Sequence, residues 1–167
     1  DGGIDYRLRQ LRKAATYHVG ARDTERSRLE QTFIALAGEP GVIGGTVTVD
    51  HRRIPCQRQS DGVIWFEFHD LCEGPRSQND YIELSQCYHT LLVSNLPVLD
   101  ETKENAARRF IALVDELYDR NVNLIVSAAT PAPELYRGNK LKFEFQRTLS
   151  RLTEMQSEEY LAREHKP

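Results

Sequence analysis

The sequence predicts an α/β fold with a mixed sheet that has a parallel βαβ core, a β-meander at one edge and helices on its faces. The core prediction comes from residues 88–129, where apolar runs at 89–99 and 122–128 flank a helical stretch at 102–120. Apolar residues recur in that stretch at three- and four-residue steps: Ala107, Phe110, Ile111, Val114, Leu117 and Tyr118. One helix face is therefore buried. Two continuously apolar strands joined by such a helix are typical of a right-handed parallel crossover, because a parallel sheet is covered on both faces.

The edge prediction comes from residues 46–68. Residues 46–50 alternate between apolar and polar, residues 54–59 form a short polar segment, and residues 63–68 are strongly β-forming. Asp61-Gly62 fits a tight hairpin turn before the last of these segments. We expect a three-stranded meander that continues into the core sheet.

Four further segments complete the predicted order of elements. A helix begins near Thr24 and ends at Gly38, and a loop at 69–76 precedes a second helix from Ser77 to about residue 88. Ser77 and Asp80 have the spacing of a capping box. A final helix is expected over 144–164.

Residues 1–22 carry several Arg residues among few apolar ones, so we expect a linker from a missing N-terminal region, or a strand that pairs with something absent. Residues 23–167 are then the α/β domain. The chain starts at Asp1 without an initiator Met, which suggests a fragment.

The composition is that of an ordinary folded protein. With 22 Lys and Arg against 25 Asp and Glu, the formal charge of −3 argues against a dedicated nucleic-acid surface. No apolar run is long enough for a transmembrane helix. Cys56, Cys72 and Cys87 are an odd set without close pairing, which is typical of reduced thiols.

A strand, a loop and a helix at residues 63–88 have the order of a phosphate-binding unit but lack its chemistry. The loop Glu73-Gly74-Pro75-Arg76-Ser77 offers one Gly and no Lys, and no G-x-x-x-x-G-K-[ST] sequence occurs in the chain. Asn95 occupies the place where a magnesium-binding carboxylate would follow an apolar strand. We therefore expect no nucleotide or metal bound by these 167 residues alone.

Three arginines are candidate site residues. Arg147 and Arg151 lie four apart on the predicted last helix, where they could act as an arginine finger or sensor in trans or form surface ion pairs. Arg76, beside a helix N-terminus, could contact an anion or nucleotide or pair with a carboxylate. A zinc site from His69, Cys72, Cys87 and His89 would require an unusual spacing, so we predict no metal ligands.

Several long motifs resemble the C-terminal half of the ZapE-type AAA+ ATPases, across nearly the whole chain and most densely from residue 68 onward. They are Asp5-Tyr6-Arg7, Pro75-Arg76-Ser77 followed by Asp80-Tyr81-Ile82, the segment from Ala107 to Glu116, Phe143 to Thr148, Ser150-Arg151-Leu152, and Glu154 to Leu161.

The resemblance implies a P-loop NTPase-like fold and an ATPase that uses ATP and Mg²⁺ in the full-length protein. It further implies remodelling of a partner, with the bacterial cell-division protein FtsZ expected, a possible homo-oligomer, and a cytoplasmic location at the division site or a mitochondrial one for a eukaryotic relative. The Walker motifs would lie upstream of Asp1. We expect this half to be a degenerate, nucleotide-free α/β copy. The alternative is a non-catalytic docking or oligomerisation module, with all chemistry in the missing half.

Overall fold

The computed structural model describes the backbone of residues 2–13 and 15–167, and side chains in those ranges from residue 6 onward. Asp1 and Ala14, which belong to the predicted linker, lie outside the described residues. The helices are α1 (Gly2–Lys13), α2 (Arg22–Ala37), α3 (Phe68–Cys72), α4 (Gln78–Cys87), α5 (Glu104–Asp119), α6 (Lys142–Glu154) and α7 (Glu158–Leu161). The strands are β1 (Tyr17–Val19), β2 (Val42–Ile43), β3 (Thr46–Val49), β4 (Arg52–Pro55), β5 (Arg58–Ser60), β6 (Val63–Glu67), β7 (Thr90–Leu96), β8 (Leu99–Asp100), β9 (Asn123–Ala128) and β10 (Tyr136–Arg137).

Six strands form the central sheet in the order β1-β9-β7-β6-β5-β2. The pairs β1/β9, β9/β7 and β7/β6 are parallel, with Leu92 aligned with Trp65 on one side and with Ile125 on the other. The pairs β6/β5 and β5/β2 are antiparallel. The predicted parallel core is therefore confirmed, and the strands beginning at 63, 90 and 123 lie side by side.

Helix α5 is the predicted crossover between β7 and β9. A short 3-10 turn (Glu101–Lys103) leads into it, and the Asp100 side chain accepts a hydrogen bond from Thr102 N. Eight residues of α5 are buried: Ala106, Ala107, Phe110, Ile111, Leu113, Val114, Glu116 and Leu117. Burying this stripe against the sheet fixes the helix in place.

The sheet carries a different hydrophobic cluster on each face. The larger cluster joins alternate residues of β6, β7 and β9 to α3, α4, α5 and α6. The smaller one joins the opposite residues, including Trp65, Leu92 and Ile125, to Leu11 of α1, to Leu29, Phe33 and Leu36 of α2, and to Leu161 of α7. Because successive side chains of a strand point to opposite faces, each strand stabilises both layers.

The predicted meander is only partly correct. The antiparallel edge consists of β2, β5 and β6, whereas β3 and β4 form a separate two-stranded hairpin between β2 and β5. Asp50 and His51 adopt positive φ at the tip of that hairpin. An ion pair joins this hairpin to α4: Arg52 Nη1 lies 2.6 Å from the buried Asp80 Oδ2.

Two further predictions need correction, one of a loop and one of a helix. The predicted loop after residue 68 begins with the short helix α3, which ends before Gly74-Pro75. The single helix expected over 144–164 is two helices, because the chain turns at Met155 and Ser157 caps α7 by accepting from Tyr160 N. Tyr160 Oη then reaches the carbonyls of Leu117 and Val122, which fixes α7 against the end of α5.

The described part of residues 1–22 contains α1 and β1, and β1 pairs with β9 of this chain. The domain boundary at residue 22 stays a prediction. None of the helices in the described ranges combines the length and apolar character needed to cross a membrane.

Candidate functional site

The carboxyl ends of β1, β7 and β9 meet at one edge of the sheet. From β1 the chain passes to α2 on the face of the smaller cluster, whereas from β7 it passes to α5 on the face of the larger one. In open α/β sheets, ligands bind at such a switch point, outside the carboxyl ends of the strands. The switch point here lies between β1 and β9.

A crevice of about 240 Å³ opens at this position, and we call it the carboxyl-edge crevice. Its lining comes from the segments that follow the three strands: Gly20, Arg22 and Glu25 after β1, Asn95, Leu96 and Pro97 at β7, and Ser127, Ala128 and Ala129 at β9. Arg22 is its cationic side chain and Glu25 its carboxylate.

Asn95 is held in a left-handed conformation with φ of 61°. Its backbone N donates to Ser127 Oγ at 3.0 Å, and its Nδ2 donates to Glu67 Oε2 at 2.7 Å. Asn tolerates positive φ better than most residues. The position after β7 is therefore occupied by a fixed neutral amide, which supplies no charge for a magnesium ion.

Gly20 lets Glu25 fold back under the connection from β1 to α2. A Cβ atom at position 20 would lie 2.5 Å from Glu25 Oε1, and the Glu25 side chain is only 4% exposed. The N-cap of α2 is Ala21, which cannot cap, and no other described side chain does so. The backbone N–H groups of the first turn of α2 thus remain open to an acceptor group.

The loop after α3, by contrast, satisfies its own polar groups. Arg76 donates from Nε at 3.1 Å and from Nη2 at 2.7 Å to the Asp70 carbonyl, and from Nη1 at 2.9 Å to the Pro75 carbonyl. Arg76 therefore binds backbone carbonyls rather than the carboxylate considered as one alternative. That it also contacts an anion or nucleotide stays a prediction.

Glu73 in the same loop is an ion-pair centre. Burial acts to raise its pKa, but hydrogen bonds from Lys103 and His69 outweigh burial and lower the pKa. His69 Nδ1 lies 3.2 Å from Glu73 Oε2. The loop that the sequence predicts to lack phosphate-binding chemistry thus makes its polar contacts within the chain.

Arg147 and Arg151 both contact Asp115 on α5. Arg147 Nη2 lies 3.3 Å from Asp115 Oδ2, and Arg151 pairs with Asp115 Oδ1 and lies over the Tyr118 ring at 4.9 Å. Asp115 is in the last part of α5, which leads into the amino end of β9, so the two arginines lie away from the carboxyl-edge crevice. Arg147 stays largely exposed. That either arginine reaches a nucleotide in trans stays a prediction.

The thiols differ in their surroundings. Cys72 is buried, and burial raises the pKa of its thiol to about 12, while Cys87 is exposed at the end of α4.

Within the described residues, no group of three His, Cys, Asp or Glu side chains is arranged to hold a metal ion.

Reasoning from the sequence missed Gly20, Arg22, Glu25 and Ser127 as members of a site. The signal available was their position directly after strand ends. That signal was weak at β1, because three residues are too few to display a strand period.

The family comparisons agree with this architecture. The model of the AFG1-like ATPase family matches residues 1–164. The cell division protein ZapE of Escherichia coli K12 is 47% identical over 165 residues, which are 99% of this chain and 44% of that protein. Lactation elevated protein 1 homolog B of Danio rerio is 27% identical over 195 residues, covering 96% of this chain and 39% of that protein.

The chain therefore spans less than half the length of these curated relatives. No solved structure matches it. Since the family model covers nearly every residue, the chain belongs to the AFG1-like ATPase family.

Proposed function

We propose that this chain is the C-terminal part of an AAA+ ATPase that hydrolyses ATP with Mg²⁺ and remodels a protein partner, with FtsZ the expected partner. The observation that carries the proposal is the family match from residue 1 to residue 164, which includes the parallel sheet and the arginine-bearing helix α6. The similarity to a protein named for cell division supports a partner at the division site. We expect a bacterial cytoplasmic location, or a mitochondrial one if the source is eukaryotic.

In this proposal, nucleotide and metal bind outside these 167 residues. The sequence has no Walker A motif, and the carboxyl-edge crevice presents the Asn95 amide after β7. Arg147 and Arg151 are the residues of this chain that we expect to act on nucleotide, from a neighbouring subunit in a homo-oligomer. A planar guanidinium held by Asp115 is preorganised for two-pronged contact with phosphate oxygens.

ATP turnover by the intact protein tests this role. Arg147→Ala or Arg151→Ala should lower kcat by roughly tenfold or more if that residue stabilises charge on the transferring phosphate. Asp115→Ala breaks both ion pairs but leaves both guanidinium groups, so it should lower kcat less than either arginine replacement. The exposed Arg53→Ala should have no effect. Unchanged kcat in both arginine variants would remove them from the site.

The second candidate function is a docking or oligomerisation module without chemistry of its own. Exposed apolar residues favour it, since Val42 and Ile43 on the edge strand β2 and Phe143 on α6 are all exposed, Phe143 by 86%. Two variants test this function: the double replacement Val42→Ser with Ile43→Ser, and the single replacement Phe143→Ser. Each should weaken self-association or co-sedimentation with FtsZ polymers. The kcat for ATP hydrolysis by the intact protein should stay unchanged. Loss of turnover without loss of association would contradict the module.

A further inference from the structure

A second cavity lies among α1, β1 and α2 and shares no lining residue with the carboxyl-edge crevice. Its volume is about 450 Å³, within the range of small-molecule sites. The lining residues are Gln10, Lys13, Ala15, His18, Arg28, Gln31, Thr32, Ala35 and Leu36. Among these described residues the charged side chains are the cations Lys13 and Arg28, and none is a carboxylate.

The contact between Arg28 and His18 determines which ring nitrogen of His18 carries the proton. Arg28 Nη1 lies 2.9 Å from His18 Nδ1, and a guanidinium can only donate, so Nδ1 accepts. Burial lowers the pKa of His18 and Arg28 lowers it further, against the opposing effects of Glu25 and the Ala15 carbonyl. Because Nδ1 accepts from Arg28, the proton of the neutral imidazole is on Nε2.

His18 Nε2 makes no hydrogen bond of standard geometry in the part of the chain that the structure describes, and the Ala15 carbonyl is the backbone acceptor that acts on the ring. His18 is only 6% exposed. A buried donor without a partner is costly, so a position of this kind calls for an acceptor. Among the neighbouring lining side chains, Lys13 can only donate, whereas Gln31 and Thr32 can both donate and accept.

Glu25 positions Arg28 without filling the cavity. Its Oε1 lies 3.5 Å from Arg28 Nη1, and it does not belong to the cavity lining. The Arg28 side chain remains half exposed, so its other nitrogens are available. Gly20 is required for this arrangement, because a Cβ there would collide with Glu25 Oε1.

We propose that this cavity binds a small molecule through an oxyanion group, a phosphate or a carboxylate. His18 Nε2–H, Arg28 and Lys13 supply the donors, and charge-assisted hydrogen bonds from the two cations supply most of the affinity. Gln31 and Thr32 complete a polar wall.

The test uses the intact protein with ¹⁵N-labelled histidine, in which His18→Gln identifies the His18 signals. Inorganic phosphate, acetate and sodium chloride are titrated separately at constant neutral pH and matched ionic strength. We expect a saturable shift of the His18 Nε2 signal with phosphate or acetate but not with chloride. A response to phosphate alone assigns a phosphate ligand, and a response to acetate alone a carboxylate.

Lys13→Gln and Arg28→Gln should each weaken the binding of the active probe about tenfold, as expected for one charge-assisted hydrogen bond. The exposed Arg53→Gln is the control and should bind normally. Lys13 is exposed and lies outside the His18, Glu25 and Arg28 contacts, so its replacement tests binding without disturbing them. Absence of a saturable shift, or full affinity in both variants, would overturn the proposal.

Discussion

Two parallel strands, β1 and β6, lead into helices on opposite faces of the sheet, and the two helix ends differ. After β1 the chain takes only Gly20 and Ala21 to reach α2, whose first turn is uncapped by described side chains. After β6 it forms α3 and a loop locked by Arg76, and α4 begins with the capping box of Ser77 and Asp80.

A helix end that satisfies its own N–H groups has little to offer a ligand, whereas an open end does. The connection after β6, which the sequence places in the position of a phosphate loop, is the closed one. The connection after β1, which carried no recognisable motif, is the open one and adjoins the topological switch point. Strand order and capping, rather than motif order, therefore distinguish the two connections.

The largest predicted effect concerns the closed connection. Asp80 is fully buried, and its Oδ2 accepts from Arg52 Nη1 at 2.6 Å and from Ser77 N at 2.9 Å. Asp80→Ala should lower the free energy of unfolding by about 3 kcal/mol, because it removes the partner of a partly buried cation and opens the α4 cap. Urea unfolding measures this. The control is Asp119→Ala at an exposed position, which should lower the free energy of unfolding by less than about 0.5 kcal/mol. Equal losses in the two variants would show that Asp80 does not stabilise the N-terminus of α4.

The next effect concerns the turn before β6. Gly62 has φ of 79°, and a Cβ there would lie 2.6 Å from His89 Nε2. Gly62→Ala should cost about 2 to 3 kcal/mol, from both the left-handed backbone and the collision. Gly44→Ala is the matched control, since Gly44 has φ of 74° but nothing within 4 Å, and should cost about 1 kcal/mol. Equal losses in thermal unfolding would exclude a close approach to His89.

The pH dependence of stability tests the same contact. Burial lowers the pKa of His89 to about 4, with Arg7 and His165 contributing. The unfolded state therefore binds more protons between about pH 6.5 and pH 4, so stability is complete above this window and falls as the pH decreases through it. His89→Gln should flatten this part of the curve of unfolding free energy, by roughly 1 kcal/mol. The exposed His51→Asn should leave the slope unchanged, and an unaltered slope in His89→Gln would contradict the assignment.

The sequence predicted the elements whose residues carry a local signal. The apolar stripe of α5 and the Ser77 and Asp80 spacing are both contained in short windows, and both predictions were confirmed. Helix α3 was missed because five residues before Gly74-Pro75 are too few for a helical period.

Long-range contacts account for the other differences between the predicted elements and those in the structure. The break between α6 and α7 depends on Tyr160 reaching carbonyls at Leu117 and Val122, which no local pattern records. The contact of Arg52 with Asp80 on α4 and the pairing of β1 with β9 also join residues far apart in the chain, so no local pattern records them. The carboxyl-edge crevice could not be predicted without that strand order.

The most direct test of the contrast between the two connections is a pair of opposite cap substitutions, measured by urea unfolding. Ala21 has the extended backbone of an N-cap residue, with φ of −65° and ψ of 141°, and is exposed. Ala21→Ser should therefore raise the free energy of unfolding by about 0.5 to 1 kcal/mol, while Ser77→Ala should lower it by about 1 kcal/mol. A neutral or destabilising Ala21→Ser would show that the backbone N–H groups in the first turn of α2 already have partners, which would contradict an open connection after β1.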